Sequence, residues 1–446
     1  MQPRQDAMAR VQFLFSRSSS RFSLPTALCL VLVAMLIGCS TTLNRNTSVS
    51  TPPLMRVRLL LGQEQLTVVA SQPPIYRTDS DPTPRALILP SNTPMVVTLT
   101  SAGWRIGSTI LGNGILTIQP AVEGSVKVAP VIANTVSSPR AYRGSFRLIP
   151  LATSSTKFDL VNDVDIEGYL AGVLPRELLK GWHEETYKAQ AIVARTYALY
   201  EKTMNGSGRY WDVYTDDRSQ VYGGMTDETD KSRSAVNQTQ GVVVAYGPEG
   251  QERIFKAYFS SCCGGVTQSA EDAFGEAFFE PLQAQNNRSI CNAAPRFTWE
   301  PVVIGKKELT RRIAAWGAYR KRPEKDMAII AEVAVQKLNI WGRPMRFAIK
   351  DVNGQSYSLR AEEFRTASNF DANNPSITKG KAALTLNSSF VKVITDSESI
   401  RFVEGHGWGH GVGMCQWCSE RRAEEGMRHE DIVQTAYPNA KLMRAY

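Results

Sequence analysis

In the first half of the chain, apolar and polar residues alternate in short runs. Such runs occupy residues 55–59, 86–89, 95–99 and 114–118, and proline, glycine, asparagine and aspartate separate them. Alternation with a period of two, bounded by turn residues, is typical of strands with one buried face. The pattern therefore predicts a β-rich lobe over residues 55–140. Because this stretch offers no catalytic constellation, we expect it to serve as a scaffold or as a wall-binding lobe.

The pattern changes after two further predicted strands, at residues 142–148 and 158–161. From Glu184 to about Lys202, apolar residues recur at helical spacing and cover most of the helix circumference. Two acidic residues open this segment, where the helix dipole favours negative charge. We expect a long buried central helix that packs closely through its alanines.

These elements predict an α+β fold. A β-rich N-terminal lobe is followed, over residues 141–446, by a mixed α/β region with a buried central helix. Further helices are expected at residues 305–321, 414–425 and 430–437, because a glycine or a proline follows the last two. The roughly 390 residues from Met55 onward suffice for two or three lobes with their own cores.

Near the C-terminus, five glycines alternate with other residues in the nonapeptide at 405–413, Gly-His-Gly-Trp-Gly-His-Gly-Val-Gly. Glycine inside a helix or strand costs roughly 0.5–1 kcal/mol relative to alanine. The composition therefore predicts an irregular backbone that approaches a ligand or an active-site wall closely. The alternative is a glycine-rich surface turn in which His406 and His410 are incidental. A helical HExxH zinc site is not expected, because the glycines disfavour a helix and the glutamate is absent.

The N-terminus predicts export. Four arginines precede an apolar run at residues 22–38, which is the layout of a secretory signal peptide. The run is also near the lower length limit of a membrane span, so an uncleaved anchor is the alternative. Residues 36–39, Leu-Ile-Gly-Cys, resemble a bacterial lipobox. We therefore expect a lipoprotein signal peptide over residues 1–38, lipidation of Cys39 and a flexible tether over residues 39–54. This predicts a membrane-anchored lipoprotein outside the cytoplasm, in the periplasm or on the outer cell surface.

The charge balance is mildly basic. The formal net charge is +9 for the full chain, and removal of residues 1–38, with four arginines and Asp6, leaves +6. A modest positive charge suits an acidic partner such as a cell wall polymer or anionic lipid. The sequence has no cluster of lysines and arginines and no RNA-binding signature, so nucleic acid is not expected as a partner.

Five cysteines follow the N-terminal segment, and outside the cytosol they could form disulfides. An odd number leaves at least one cysteine without a partner. If a structural disulfide forms, Cys263 with Cys291 is the expected pair. The CxxC at Cys415 and Cys418 is compatible with redox chemistry, with metal binding or with a simple close pair. A zinc site built from these cysteines and a histidine also stays open. The five are Cys262, Cys263, Cys291, Cys415 and Cys418.

Four ordered segments of the chain resemble the stage II sporulation protein D (SpoIID)/LytB family. They are residues 164–200, residues 220–224 (Gln-Val-Tyr-Gly-Gly), residues 260–267 (Ser-Ser-Cys-Cys-Gly-Gly-Val-Thr) and residues 405–417. The resemblance covers roughly residues 142–441, which makes a SpoIID-like domain of residues 141–446. It implies an extracytoplasmic lytic transglycosylase or an amidase enhancer of bacterial peptidoglycan. It also implies that the mixed α/β region is catalytic and holds a substrate cleft.

The resemblance places the catalytic glutamate at Glu177. Cleavage of a β-1,4 glycosidic bond needs an acid to protonate the leaving oxygen. In a lytic transglycosylase the C6 hydroxyl of the muramic acid then attacks, so one carboxyl can serve both steps. The alternative is that Pro175 opens a short helix and Glu177 caps its first turn, where the dipole favours the charged carboxylate. Against this, the apolar Leu174, Leu178 and Leu179 could desolvate the carboxyl group.

The resemblance and the residue chemistry together predict a set of substrate-binding residues. Amides and aromatic faces suit sugar hydroxyls and pyranose rings, and cations suit a substrate anion. For Lys188 and Arg195, a buried ion pair with Glu167, Asp216 or Asp217 is an equal alternative, and the resemblance makes Glu167 structural. The predicted set is Gln220, Tyr222, His406, Trp408, His410, Gln416, Lys188 and Arg195.

No metal and no cofactor are expected. Many members of the family carry a cysteine, sometimes a metal ligand, where this chain has Ser219. The chain also departs from the family at Cys415 and Cys418, where small residues such as serine and glycine are common. The two cysteines at positions 415 and 418 allow a local disulfide or altered packing after the glycine-rich nonapeptide.

Two functions follow from the sequence. The first is a lipid-anchored enzyme that cuts the MurNAc–GlcNAc β-1,4 bond of peptidoglycan glycan strands and leaves a 1,6-anhydro product. The second is a non-catalytic, glycan-binding enhancer of a cell wall amidase. The presence of Glu177 favours the enzyme, because a pure binding module needs no carboxylic acid there. The expected partners are glycan strands, the membrane through the lipid anchor and, for the second function, the amidase.

Overall fold

The computed structural model describes residues 51–132, 135–205, 208–371 and 385–446. The predicted signal peptide, Cys39 and the tether up to residue 50 lie outside the described residues. Within the described residues, no helix has both the length and the apolar character that a membrane span requires.

Fourteen strands in the first half of the described chain form two seven-stranded sheets. They are β1 (Leu54–Gln63), β2 (Gln65–Ala70), β3 (Ile75–Thr78), β4 (Arg85–Ala86), β5 (Met95–Thr100), β6 (Gly103–Ile106), β7 (Thr109–Ile110), β8 (Leu116–Gln119), β9 (Val126–Ile132), β10 (Thr135–Val136), β11 (Arg140–Ala141), β12 (Ser145–Pro150), β13 (Phe158–Asp165) and β14 (Val213–Tyr214). The first sheet has the order β14-β1-β13-β12-β8-β3-β4. The second has the order β10-β9-β2-β5-β6-β7, and β11 pairs with β9.

Side chains from both sheets meet in one apolar core. Val97 and Trp104 of the second sheet and Leu116, Phe146 and Phe158 of the first are fully buried in it. The Trp104 and Phe158 rings pack edge to face with their centroids 5.0 Å apart, an arrangement worth roughly 0.5–1.5 kcal/mol beyond the area it buries. The prediction of a β-rich N-terminal region is confirmed.

Strands from both sides of residue 141 share the first sheet. β1 pairs antiparallel with β13 and parallel with β14. The run at residues 86–89 forms a strand only at its first residue, since β4 ends at Ala86. Pro84 and Pro90 flank this run and lack the N–H group that a sheet ladder uses.

The predicted central helix is present and connects two apolar cores. The first three helices are α1 (Ile166–Glu177), α2 (Glu184–Asn205) and α3 (Asp230–Gln238). Tyr187, Ala191, Ala194 and Ala198 of α2 pack into the core that the two sheets share. Ala189, Ile192 and Val193 face a second core built with the C-terminal helices. Small alanine side chains on both faces let α2 approach its neighbours closely, so the helix is buried on several sides.

The described C-terminal part adds five helices and a third core, which contains Leu309, Ile313, Phe347, Phe364 and Phe402. Its helices include α5 (Lys306–Arg320), α7 (Gln416–Glu424) and α8 (His429–Ala436), so the three predicted C-terminal helices are confirmed within a few residues. The remaining elements are α4 (Ala270–Phe274), α6 (Ala361–Ser368), β15 (Val242–Tyr246), β16 (Arg253–Ile254), β17 (Phe259–Ser260), β18 (Thr298–Trp299), β19 (Val302–Gly305), β20 (Ile330–Leu338), β21 (Pro344–Asp351), β22 (Ser356–Arg360), β23 (Phe390–Thr395), β24 (Ser399–His406), β25 (Met414–Cys415) and β26 (Lys441–Arg444).

Candidate functional site

Glu177 is the last residue of α1, whose first turn follows the N-cap Asp165. Pro175 lies inside the last turn of this helix, so the alternative in which Pro175 opens a helix is wrong. A helix C-terminus carries partial negative charge and disfavours a nearby carboxylate. The position of Glu177 therefore removes the electrostatic objection to a carboxyl group that must hold a proton.

The surroundings of Glu177 are polar on one side and apolar on the other. The backbone N–H of Val221 donates to Glu177 Oε1 at 3.1 Å. Leu174 and Leu178 are buried beside it, whereas Leu179 is exposed. Two of the three leucines that the sequence suggested thus reduce the solvation of this end of α1, and the third does not.

Two tyrosines lie within electrostatic reach of Glu177. Burial raises the pKa of Tyr169 and of Tyr197 above the ordinary value of a tyrosine. Neighbouring groups that include Glu177 raise it further. Both hydroxyls are therefore protonated at neutral pH and can donate hydrogen bonds. Neither tyrosine is among the residues predicted from the sequence. The signal that could have found them is an aromatic hydroxyl on a helix face that is otherwise lined by alanine and leucine.

Gln220 and Tyr222 lie in the core and do not form a sugar-binding surface. Gln220 is only 1% exposed, and its amide accepts from Tyr169 Oη at 3.2 Å and donates to the Ala194 carbonyl at 3.4 Å. Tyr222 Oη donates to Asn162 Oδ1 at 3.1 Å. Both side chains hold the loop that carries the Val221 N–H group, so they position the partner of Glu177.

Arg195 and Lys188 form ion pairs within the protein. Arg195 is fully buried, and its Nη2 lies 2.6 Å from Glu167 Oε2. Glu167 also accepts from the Gly241 N–H group at 3.1 Å. It lies in the first turn of α1. Lys188 Nζ lies 2.7 Å from Glu185 Oε1. The ion-pair alternative is thus correct for Arg195 with Glu167, and Lys188 pairs with a different acid from those proposed.

A rim of aromatic and charged side chains extends outward from Tyr197. Its ring centroid lies 6.4 Å from that of Tyr258, and Lys256 Nζ lies 5.4 and 5.1 Å from the two rings. Lys256 pairs with Glu201 at 3.0 Å. Tyr258 donates a hydrogen bond to the exposed Glu276. Aromatic faces beside charged groups suit a polar, ring-shaped ligand, although sequence analysis did not select these residues.

The glycine-rich nonapeptide has the irregular backbone that its composition predicts. After the end of β24 at His406, Gly407, Gly409, Gly411 and Gly413 all have φ between 69° and 93°, a region that other residues rarely adopt. The segment is not a helix, which agrees with the argument against an HExxH site. Gly407 and Gly413 leave room for no Cβ, because one would overlap neighbouring backbone carbonyls.

The two histidines of the nonapeptide point to different places. The His410 ring lies 5.8 Å from Tyr258 and 5.4 Å from Phe274, and its Nδ1 accepts from the Val412 N–H group at 3.0 Å. Burial lowers the pKa of His410 to about 4, so the ring is neutral at pH 7. His406 lines a separate groove of about 890 Å³ whose lining does not include Glu177. Of the pair, only His410 reaches the rim through Tyr258.

Trp408 has one ring face covered by a cation, and Gln416 is buried. The Arg296 guanidinium lies 3.7 Å from the centroid of the Trp408 ring and covers one face. Gln416 is 4% exposed, and its Nε2 donates to Gln190 Oε1 at 3.4 Å. The structure therefore separates the predicted set. Glu177, Gln220 and, through the rim, His410 belong together, whereas His406 lines a separate groove, Trp408 contacts Arg296 and Gln416 contacts Gln190.

The segment that holds Glu177 matches a known family model. Residues 154–246 match the model of the family SpoIID, described as stage II sporulation protein. The chain carries a SpoIID domain. The prediction of the SpoIID/LytB family is confirmed, and Glu177, Lys188, Arg195, Gln220 and Tyr222 all fall inside the matched residues.

Three relatives extend the similarity beyond the SpoIID match. An uncharacterised protein of Brachyspira hyodysenteriae is 29% identical over 302 residues, which cover 68% of this chain and 72% of that protein. The amidase enhancer of Bacillus subtilis is 25% identical over 301 residues, which cover 61% of this chain and only 40% of the enhancer. Stage II sporulation protein D of Bacillus subtilis is 24% identical over 299 residues, which cover 64% of this chain and 76% of that protein.

Proposed function

We propose that the protein is a lipid-anchored, extracytoplasmic lytic transglycosylase. It would cleave the MurNAc–GlcNAc β-1,4 bond of peptidoglycan glycan strands and leave a 1,6-anhydro product. The observation that carries the proposal is the position of Glu177 at the C-terminal end of α1, inside the residues that match SpoIID and within hydrogen-bond distance of the Val221 N–H group.

The chemistry needs one carboxyl group that changes role. Glu177 first donates its proton to the glycosidic oxygen as the bond to the muramic acid breaks. The resulting carboxylate then accepts the proton of the C6 hydroxyl, whose oxygen closes the anhydro ring. The helix C-terminus favours the protonated form needed in the first step. The Val221 N–H group favours the charged form that follows it.

The rim gives the glycan a place to lie. Tyr258 stacks on Phe274 with centroids 4.7 Å apart, which holds its ring in one orientation. The Tyr197 hydroxyl is a donor for a sugar oxygen, the Tyr258 ring offers a face to a pyranose, and Lys256 provides a cation for acidic groups of the wall polymer. In this proposal Gln220 and Tyr222 act indirectly, because they hold the loop that contacts Glu177.

The test compares two glutamates at helix ends. Glu177→Gln removes the acid and keeps the shape, so we expect product formation to fall at least about a hundredfold. Glu184→Gln, on an exposed residue in the first turn of α2, serves as the matched control and is expected to retain activity. The protein is incubated with glycan strands, with and without their peptides, and mass spectrometry detects 1,6-anhydro ends. Absence of such ends with the unmodified protein, or equal amounts from Glu177→Gln, would contradict the proposal.

A second candidate function is the non-catalytic enhancement of a cell wall amidase. The similarity to a protein named amidase enhancer favours it. In that case the protein forms no anhydro ends and increases the release of peptides from the wall by an added amidase. Glu177→Gln would then stimulate the amidase as well as the unmodified protein does, so one pair of variants separates the two functions.

A further inference from the structure

Four cysteines from three distant segments meet in the interior. Their sulfur atoms all lie within 4.8 Å of one another, and all four side chains are buried. Cys263 Sγ lies 3.4 Å from Cys291 Sγ and 3.6 Å from Cys418 Sγ. Cys263 follows β17, Cys291 lies in the loop before β18, and Cys415 and Cys418 begin α7. None of the cysteines in the described residues forms a disulfide.

The spacing of the sulfur atoms fits a single tetrahedral metal ion. A zinc ion bound by four thiolates at about 2.3 Å places neighbouring sulfurs about 3.8 Å apart. The observed separations of 3.4 and 3.6 Å are close to this value. Four sulfurs complete a closed coordination shell, which is the arrangement of structural rather than catalytic zinc sites.

The backbone around Cys415 is arranged to receive a thiolate. Its Sγ accepts hydrogen bonds from the Cys418 N–H group at 3.4 Å and from the Cys263 N–H group at 3.3 Å. The first of these bonds links the two ends of the CxxC turn at the start of α7. N–H groups that point at a sulfur stabilise its negative charge and orient it toward a metal.

Arg343 is a buried cation beside the cluster. Arg343 is fully buried, and its guanidinium donates to the carbonyl oxygens of Cys263, Val266 and His410. Among the described residues, no acidic side chain forms an ion pair with it. A zinc ion with four thiolates carries two net negative charges, which would balance an otherwise costly buried cation.

We propose that Cys263, Cys291, Cys415 and Cys418 bind one Zn²⁺ ion as a structural site. This replaces the expectation of no metal and the expected Cys263–Cys291 disulfide. It also does not depend on whether the protein is an enzyme. The ion would hold the start of α7 against the turn at residues 260–267. Because Cys262 and Trp408 exchange backbone hydrogen bonds at 3.1 and 2.8 Å, the same ion would also fix the glycine-rich nonapeptide.

The competing state contains disulfides. Five buried cysteines lie together here, the fifth being Cys262. Disulfides would join at most four of them, whereas zinc binding leaves every one as a thiol that can be alkylated after the metal is removed. The two states therefore differ in metal content and in the linkage of peptides.

The first experiment uses the unmodified full-length protein, purified without added metal or reductant. We expect about one zinc per chain by elemental analysis. The protein is then denatured with a chelator and iodoacetamide, again without reductant, and its peptides are examined by mass spectrometry. Alkylation of Cys263, Cys291, Cys415 and Cys418 supports the site. Absence of zinc, or recovery of these peptides linked by disulfides, overturns it.

The second experiment compares two cysteines of the same cluster. Cys418→Ser is expected to lose stoichiometric zinc, whereas Cys262→Ser, which alters a buried cysteine outside the set of four, is expected to keep it. Cobalt substitution of the unmodified protein adds a test that needs no variant, because four sulfur ligands produce intense absorption bands typical of tetrahedral cobalt thiolates. Retention of full zinc by Cys418→Ser, or a cobalt spectrum without sulfur ligation, rules out the proposed ligand set.

Discussion

Arg195 shows how a charged residue is accommodated inside α2. Its guanidinium is fully buried and bonds to both oxygens of Glu167 and to the Val242 carbonyl at 3.0 Å. Glu167 in turn accepts from Gly241 and from Tyr446 near the C-terminus. One ion pair thus ties α1, α2 and the end of the chain together, which gives Arg195 a structural role.

Removal of Arg195 should therefore destabilise the protein strongly. Arg195→Met leaves Glu167 as a buried charge without its cation, and we expect the free energy of unfolding to fall by about 3–5 kcal/mol. Lys188→Met breaks a less buried pair on the same helix and should cost at most about 1 kcal/mol. Urea denaturation measures both. Equal losses for the two variants would contradict the assignment of Arg195 as the buried structural cation.

At the scale of elements, the glycine-rich nonapeptide depends on close backbone contact as well as on unusual dihedral angles. Gly413 has φ of 69°, and a Cβ there would overlap the Tyr258 carbonyl. Gly426, which ends α7, has φ of 89° and no atom near the position of a Cβ. Both glycines have a positive φ that would be strained in alanine. They differ in the space available to a Cβ.

This difference predicts unequal effects of the same substitution. Gly413→Ala should lower the free energy of unfolding by about 2–4 kcal/mol, because the strained dihedral and the overlap both contribute. Gly426→Ala should cost about 1–2 kcal/mol from the dihedral alone. Chemical denaturation measures the free energy of unfolding of the two variants. A Gly413→Ala variant as stable as Gly426→Ala would show that the close contact does not contribute to stability.

At the scale of the whole molecule, the predicted lipoprotein signal at the N-terminus can be tested directly. We expect the unmodified protein to incorporate labelled fatty acid and to sediment with membranes in a bacterial host. Cys39→Ser should abolish the incorporation, whereas Cys29→Ser, inside the apolar run, should not. Membrane fractionation and the mass of the mature N-terminal peptide provide the readout. Equal labelling of both variants, or none in the unmodified protein, would argue against a lipid anchor at Cys39.

The sequence by itself determined the elements and the family. Helix α2 was predictable because its periodicity and its opening acids lie within one continuous segment. The irregular nonapeptide was predictable because five alternating glycines exclude helix and strand through local conformational cost. Glu177 could be singled out because it lies in the first of four ordered motifs that resemble the family. For α2 and the nonapeptide, the relevant physics acts between residues that are close along the chain.

Only the tertiary structure decided which side chains meet. It buried Gln220 and Tyr222 behind the loop that contacts Glu177, paired Arg195 with Glu167, and left His406 in a separate groove. It also brought together cysteines that lie 28 and 155 positions apart along the chain. Periodicity and turn chemistry carry no information about such contacts, because they arise from the packing of complete elements against one another.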